Sequence, residues 1–176
     1  MSETDLFLIA DLPGFTPHLG RLVSMMNYVR STTVAAVTGL GVDELDYLHD
    51  PQSNSIGALL LHMAATEAGY QAATFDERGF SADEKDEWAA AVELGERARR
   101  EVRGRELNYY LGRLEQVRAK TLAGFAQRDD HWLDHVTTMS SGHRINNYFK
   151  WFHVLSHEVN HRGQIRWLRP RATSRS

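Results

Sequence analysis

Residues 149–169 read F-K-W-F-H-V-L-S-H-E-V-N-H-R-G-Q-I-R-W-L-R. Three of the chain's nine histidines, His153, His157 and His161, fall here at intervals of four. No proline interrupts the run, and Gly163 is its only weak helix former, so the stretch predicts an α-helix. Residues four apart leave one helix face with Cβ atoms about 5–6 Å apart. At that spacing two imidazoles reach one metal ion. At about 100° per residue, Val154, Ile165 and Leu168 form an apolar stripe. His161 lies within that stripe, His157 on its flank and His153 further round. The phase therefore favours His157 and His161 as a metal-binding pair and puts His153 at the rim. A buried imidazole needs a partner for each ring nitrogen, so two at this spacing make poor core filler.

The same residues, His157-Glu158-Val159-Asn160-His161, spell H-E-x-x-H, in which zinc proteases use the Glu as general base. Three features argue against that reading. Arg162 puts a charge directly after the second His, where a buried catalytic helix wants a neutral side chain. Nothing after His161 is Asp, Glu or His, so no ligand follows downstream. Gln164 and Trp167 occupy the Gly and His positions of the longer protease motif. A third ligand must come from upstream. His62 is the candidate: it lies mid-helix in I-G-A-L-L-L-H-M-A-A-T-E-A-G-Y-Q-A-A-T-F, and its neighbours Ala58, Ala65, Thr66 and Gly69 are small enough to leave room beside it. Alone, a histidine on an apolar helix is more often a core residue with one hydrogen bond. The missing downstream ligand reverses that preference. Glu67 reads as an outer partner or an edge residue.

Four long helices are expected, near 16–38, 55–75, 106–127 and 143–169, with antiparallel packing dominating and no sheet. Thr16-Pro17 suits a helix start, Gly39 and Gly41 a stop, and Ser53-Asn54-Ser55 a second start. Residues 76–106 mix charges of both signs with Trp88, Val92, Leu94 and Val102. They read as one or two short solvated helices in the connection between the second and third long helices. Their arginines, Arg97, Arg99, Arg100, Arg103 and Arg105, read as a solvated face in preference to an anion site. Tyr109 and Tyr110 read as core. His18 reads as solvated or capping, and His131, His135 and His143 read as solvent-facing. The chain is expected to form a single domain over 1–176, with an apolar arm over 1–15 and a frayed tail over 170–176.

At 176 residues, 42% apolar and 24% charged, the chain can bury one proper core. A formal charge of −3 gives no support to nucleic-acid binding. The absence of cysteine excludes disulfides, thiolate metal sites and a cysteine nucleophile. Any thiol chemistry must use a substrate's sulfur. No apolar run approaches 18 residues and no signal-peptide pattern opens the chain, so a cytoplasmic protein without a membrane span is expected. Trp151, Phe152 and Trp167 point to more than one side of the last helix, which predicts a homodimer.

Taken together, the mid-helix His62, the charged connection and the run His157-Glu158-Val159-Asn160-His161-Arg162-Gly163-Gln164-Ile165 resemble the DinB/YfiT-like superfamily of metalloenzymes. The resemblance covers most of the chain. It implies an all-α four-helix bundle holding one divalent ion, Zn or Ni, through three residues that correspond here to His62, His157 and His161. It also implies transfer of a low-molecular-weight thiol such as bacillithiol, mycothiol or glutathione, or isomerisation of a thiol adduct. His153 and Glu158 stand as outer neighbours of the metal, and no catalytic residue is assigned. Two other readings stay open. One is a metal-dependent hydrolase with Glu158 or His153 as base. The other is a non-catalytic metal or ligand binder.

Overall fold

The computed structural model describes residues 6–174. In chain order the elements are α1 (Pro17–Val37), α2 (Val42–Leu45), α3 (Ile56–Phe75), α4 (Ala82–Glu93), α5 (Gly95–Glu101), α6 (Leu107–Phe125), α7 (Asp130–Leu133), β1 (Val136–Thr138), β2 (Arg144–Asn146) and α8 (Asn147–Thr173). Among the described residues, α1, α3, α6 and α8 are the helices of nineteen residues or more. The short α4 and α5 occupy the charged connection, as its mixed composition led us to expect.

Local chemistry sets the helix starts. Ser55 accepts the Ala58 amide at the head of α3, and Asn146 accepts the Phe149 amide at the head of α8. Ser81 and Glu84 form a reciprocal box at the head of α4. Helix α1 begins at Thr16-Pro17, but Thr16 does not cap it; the Thr16 hydroxyl donates to Asp130. The Asp130 carboxylate in turn accepts the amides of His18 and Leu19, so α7 caps α1 from a distance.

Cross-helix contacts give the directions. His62 faces His157, Tyr70 faces His153 and Phe75 stacks on Trp151, so α3 and α8 run antiparallel. Arg30 bonds the Leu114 carbonyl and Arg118 the Met26 carbonyl, so α1 and α6 are also antiparallel. The other two neighbouring pairs are parallel. Glu67 meets Arg118 and Phe75 meets Phe125 across α3 and α6. Arg30 meets Glu158, Thr32 meets Arg162 and Ala36 meets Arg169 across α1 and α8. The expected antiparallel dominance therefore gives way to an even division. Its cause is the 76–106 connection, which carries the chain back to the end where α3 began, so that α6 follows α3 in direction.

Helix α3 is apolar on nearly every side because α6, α8 and α4 all pack against it. Gly57 is the seat of Tyr110: a Cβ there would lie 2.6 Å from the phenolic oxygen. The buried apolar residues form two clusters. One gathers the C-terminal part of α1 with the first half of α3 and Tyr110, Leu114, Ile165 and Leu168. The other gathers Leu19, Leu22, Met26, Phe125, Leu133 and Trp151.

Three features depart from the expected layout. Residues 136–138 and 144–146 pair as a two-stranded antiparallel hairpin, with Thr137 opposite Ile145, where no sheet was expected. β-branched Thr137 and Thr138 favour the strand, Gly142 turns it at φ 85°, and α8 consequently starts at Asn147, not at 143. At the other end α8 continues through Pro170 to Thr173, where a frayed segment was expected. Buried Ala172 holds this turn, and Arg169 donates to the carbonyls of Ala35, Ala36 and Thr38 at the end of α1. In the N-terminal arm, Leu12 and Phe15 pack on the second cluster and Ser24 donates to the Leu8 carbonyl. The arm's first five residues and the last two of the tail lie outside the described residues. Among the described residues no helix is long and apolar enough to cross a membrane.

Candidate metal centre

His62 comes from the middle of α3, and His157 and His161 from one face of α8. The antiparallel α3–α8 contact brings the three together, all half-buried. The Nε2 atom of His157 lies 3.1 Å from Nε2 of His62 and 3.1 Å from Nε2 of His161. The outer nitrogens are also held. His62 Nδ1 lies 2.7 Å from the Ala91 carbonyl oxygen at the end of α4, and His161 Nδ1 lies 2.9 Å from Gln164 Oε1. A carbonyl oxygen can only accept, so each of these rings carries its proton on Nδ1 and turns a lone pair inward. His157 can offer one proton to one of those two lone pairs. At least one close nitrogen pair therefore has no hydrogen between its members, an arrangement that a cation fits. Two imidazole nitrogens bound to one tetrahedral ion at about 2.0–2.1 Å stand about 3.3 Å apart, close to the spacing found.

The remaining sequence candidates are placed differently. His153 is half-buried, its ring 5.7 Å from that of His157 and 5.7 Å from that of Tyr70. Glu158 turns toward α1 and α6, away from the histidine cluster. Its Oε1 accepts Arg30 Nε at 2.8 Å, and its Oε2 accepts Arg30 Nη2 at 3.0 Å and Arg118 Nη2 at 3.4 Å. Glu67 is no edge residue: it is buried and bonded to Arg118, Arg30 and Thr121. Each long helix thus contributes one charge to a buried group, Arg30, Glu67, Arg118 and Glu158. Along every helix that charge lies between the two apolar clusters. The sequence reading missed both arginines, although each stands at core spacing: Arg30 between Met26 and Thr33, Arg118 between Leu114 and Thr121. It also missed the Ala91 carbonyl, for which no side chain gives a signal, and the pairing of Gln164 with His161. His18, His131, His135 and His143 are exposed and stay outside the cluster. A cavity of about 270 Å³, lined by Gln52, Asn54, Gln164 and Trp167 among others, opens beside His161's partner Gln164.

Burial pushes His157 down to about 3, with His161, His62 and His153 adding to the shift. Burial also lowers His62, partly opposed by the Ala91 carbonyl. Burial works to raise Glu67, but Arg118 and Arg30 hold it below the ordinary carboxylate value. All three shifts have the same sign for stability. The unfolded chain binds protons at His157 and His62 from about pH 6.5 downward and at Glu67 from about 4.5, while the folded chain resists. Metal-free protein is therefore expected to melt at progressively lower temperature as pH falls from 7 toward 3. Thermal denaturation in chelator at pH 7, 6, 5 and 4 checks this, and a flat profile would contradict it.

No curated protein matches the chain. The family model described as Mycothiol-S-transferase matches residues 21–173, which spans all four long helices except the first turn of α1 and takes in every residue of the histidine cluster. The chain therefore belongs to the mycothiol S-transferase family, within the DinB/YfiT-like superfamily of metal-dependent thiol transferases.

Proposed function

We propose that this protein is a metal-dependent S-transferase that joins a low-molecular-weight thiol to a small electrophile, with His62, His157 and His161 holding one zinc or nickel ion. The observation that carries the reading is the convergence of three Nε2 atoms, two of them turned inward by bonds at Nδ1. The family supports the thiol as substrate. A divalent ion on three neutral imidazoles supplies Lewis acidity and favours thiolate over thiol. His153 takes the sulfur's proton on a ring nitrogen, from its place on the rim of the cluster. Tyr70, packed on His153 and half-buried, keeps water from that side. The cavity beside Gln164 seats the part of the thiol remote from sulfur. The sulfur lone pair then forms the new C–S bond as the bond from that carbon to its leaving atom breaks, and the leaving atom keeps the electron pair and takes up the proton that His153 held. With no cysteine in the chain, the nucleophilic sulfur is the substrate's own.

The hydrolase reading loses one of its two bases, because both oxygens of Glu158 are held by guanidinium groups. The proposal includes a cytoplasmic location, where a free thiol stays reduced. It also includes a homodimer: Trp151 is spent in the core, but Val136, Met139, Phe149 and Phe152 remain exposed around the hairpin and the head of α8. Light scattering at twice the 20.0 kDa chain mass is the expected reading there.

The test uses untagged protein stripped by chelator and reloaded with zinc or nickel. A panel of low-molecular-weight thiols is crossed with electrophiles such as an epoxide and a chloronitroarene, and adducts are read by mass spectrometry. Adduct formation that requires both thiol and metal is expected. Product formed without thiol would replace the transferase with a hydrolase, and no product under any pairing would leave a binding protein.

A further inference from the structure

The end of α4 is built unusually. Leu94 amide makes the last regular bond of the helix, to the Ala90 carbonyl at 3.1 Å. The next amide, Gly95, would bond the Ala91 carbonyl if the helix continued. It donates instead to Asn54 Oδ1 at 3.0 Å. The chain turns away at Leu94 with φ 55° and ψ −150°, a region that a residue with a side chain enters only when its surroundings force it. Gly95 follows at φ 56°. The Ala91 carbonyl, left without its helical partner, is the oxygen that meets His62 Nδ1 at 2.7 Å. Asn54 and His62 belong to one rigid unit, since Asn54 immediately precedes the Ser55 cap of α3. That segment is itself fixed by Arg99, which donates to the Gln52 and Ser53 carbonyls.

We infer that Asn54 is a positioning residue of the metal centre: by taking the Gly95 amide it ends α4 at Glu93 and frees the Ala91 carbonyl to hold His62 with its proton on Nδ1 and its Nε2 toward His157. The inference rests on the reading of His62 as a ligand. A carbonyl at a helix C-terminus carries extra negative character, and a hydrogen bond at the far ring nitrogen fixes the tautomer and makes the ligand nitrogen more basic. Without Asn54, the Gly95 amide is free to return to Ala91, α4 gains a residue, and the amide competes with His62 Nδ1 for the Ala91 oxygen. The carboxamide oxygen is the working part, so aspartate at this position keeps the device.

The parent, Asn54→Ala and Asn54→Asp proteins are compared in two measurements. Zinc affinity is read by competition with a chromophoric chelator, and the His62 tautomer by imidazole ¹⁵N resonance in metal-free protein. Asn54→Ala is expected to bind zinc about 10- to 100-fold more weakly, as for loss of an outer partner, and to show mixed His62 tautomers. Asn54→Asp is expected to stay within about threefold of the parent and keep the Nδ1–H tautomer. Unchanged affinity and tautomer in Asn54→Ala would overturn the inference. So would an Asn54→Asp protein that falls as far as the alanine variant. If Asn54→Ala does not fold, hydrogen exchange in the parent decides: zinc should slow exchange of the Gly95 amide, and an unaltered rate would count against the clamp. A parent that binds no zinc at all would remove the ligand reading first; a parent that binds zinc while Asn54→Ala equals it removes only the role of Asn54.

Discussion

Replacing Arg30 by methionine is expected to destabilise the metal-free protein by about 3–5 kcal/mol, the range for breaking a buried ion pair from one side. Arg30 gives Glu158 both of its close contacts, at 2.8 and 3.0 Å, and gives Glu67 another at 3.1 Å. Without it, Glu158 keeps only the 3.4 Å contact with Arg118, at a position 3% exposed. The Coulomb attraction of the intact group offsets the cost of taking four charges out of water, so what the variant reveals is mostly the desolvation of the carboxylates left behind. The quadruple variant Arg30→Met, Glu67→Leu, Arg118→Leu, Glu158→Leu is expected to recover most of that loss, because it leaves no buried charge without a partner. Urea denaturation in the presence of chelator measures both. A single replacement costing less than about 1 kcal/mol, the ceiling usual for an exposed pair, would show that the four side chains do not act as a buried unit.

Zinc affinity is expected to collapse in His157→Ala and to fall sharply in His62→Ala and His161→Ala. Each should exceed the roughly 10- to 100-fold typical of losing an outer partner. His157 stands first because its Nε2 lies 3.1 Å from both other donors, so its loss removes the centre of the cluster. His153→Ala should cost about tenfold or less. Its ring stands 5.7 Å from that of His157, against 4.3 Å for His161. A site made by His153 and His157 would instead rank His153 above His161 and leave His62→Ala unaffected. Chelator competition across the four variants separates the two rankings.

The histidine cluster and the long helices were legible because both depend on periodicity. The four-residue spacing of His157 and His161 and the phase of Ile165 and Leu168 are properties of one helix, and one helix can be read alone. The small neighbours of His62 carried the same kind of signal. Helix direction was not legible, because it depends on where the 76–106 connection delivers the chain. The hairpin escaped because strands of three residues are too short to show alternation. Arg30 and Arg118 stood at core positions in plain view. A lone arginine at such a position is easily assigned to the surface, and only the meeting of four helices shows that each finds a glutamate. Ala91 acts through its backbone, which no reading of side chains reveals.

His62, His157 and His161 are expected to bind one ion together. X-ray absorption of the zinc-loaded protein tests it most directly, because the imidazole scattering pattern counts the ring donors. The parent is expected to give three imidazole nitrogens at about 2.0–2.1 Å with one further light donor, and His62→Ala to give two. An unchanged imidazole count in His62→Ala, with zinc still bound, would contradict the three-histidine centre and the transferase chemistry built upon it.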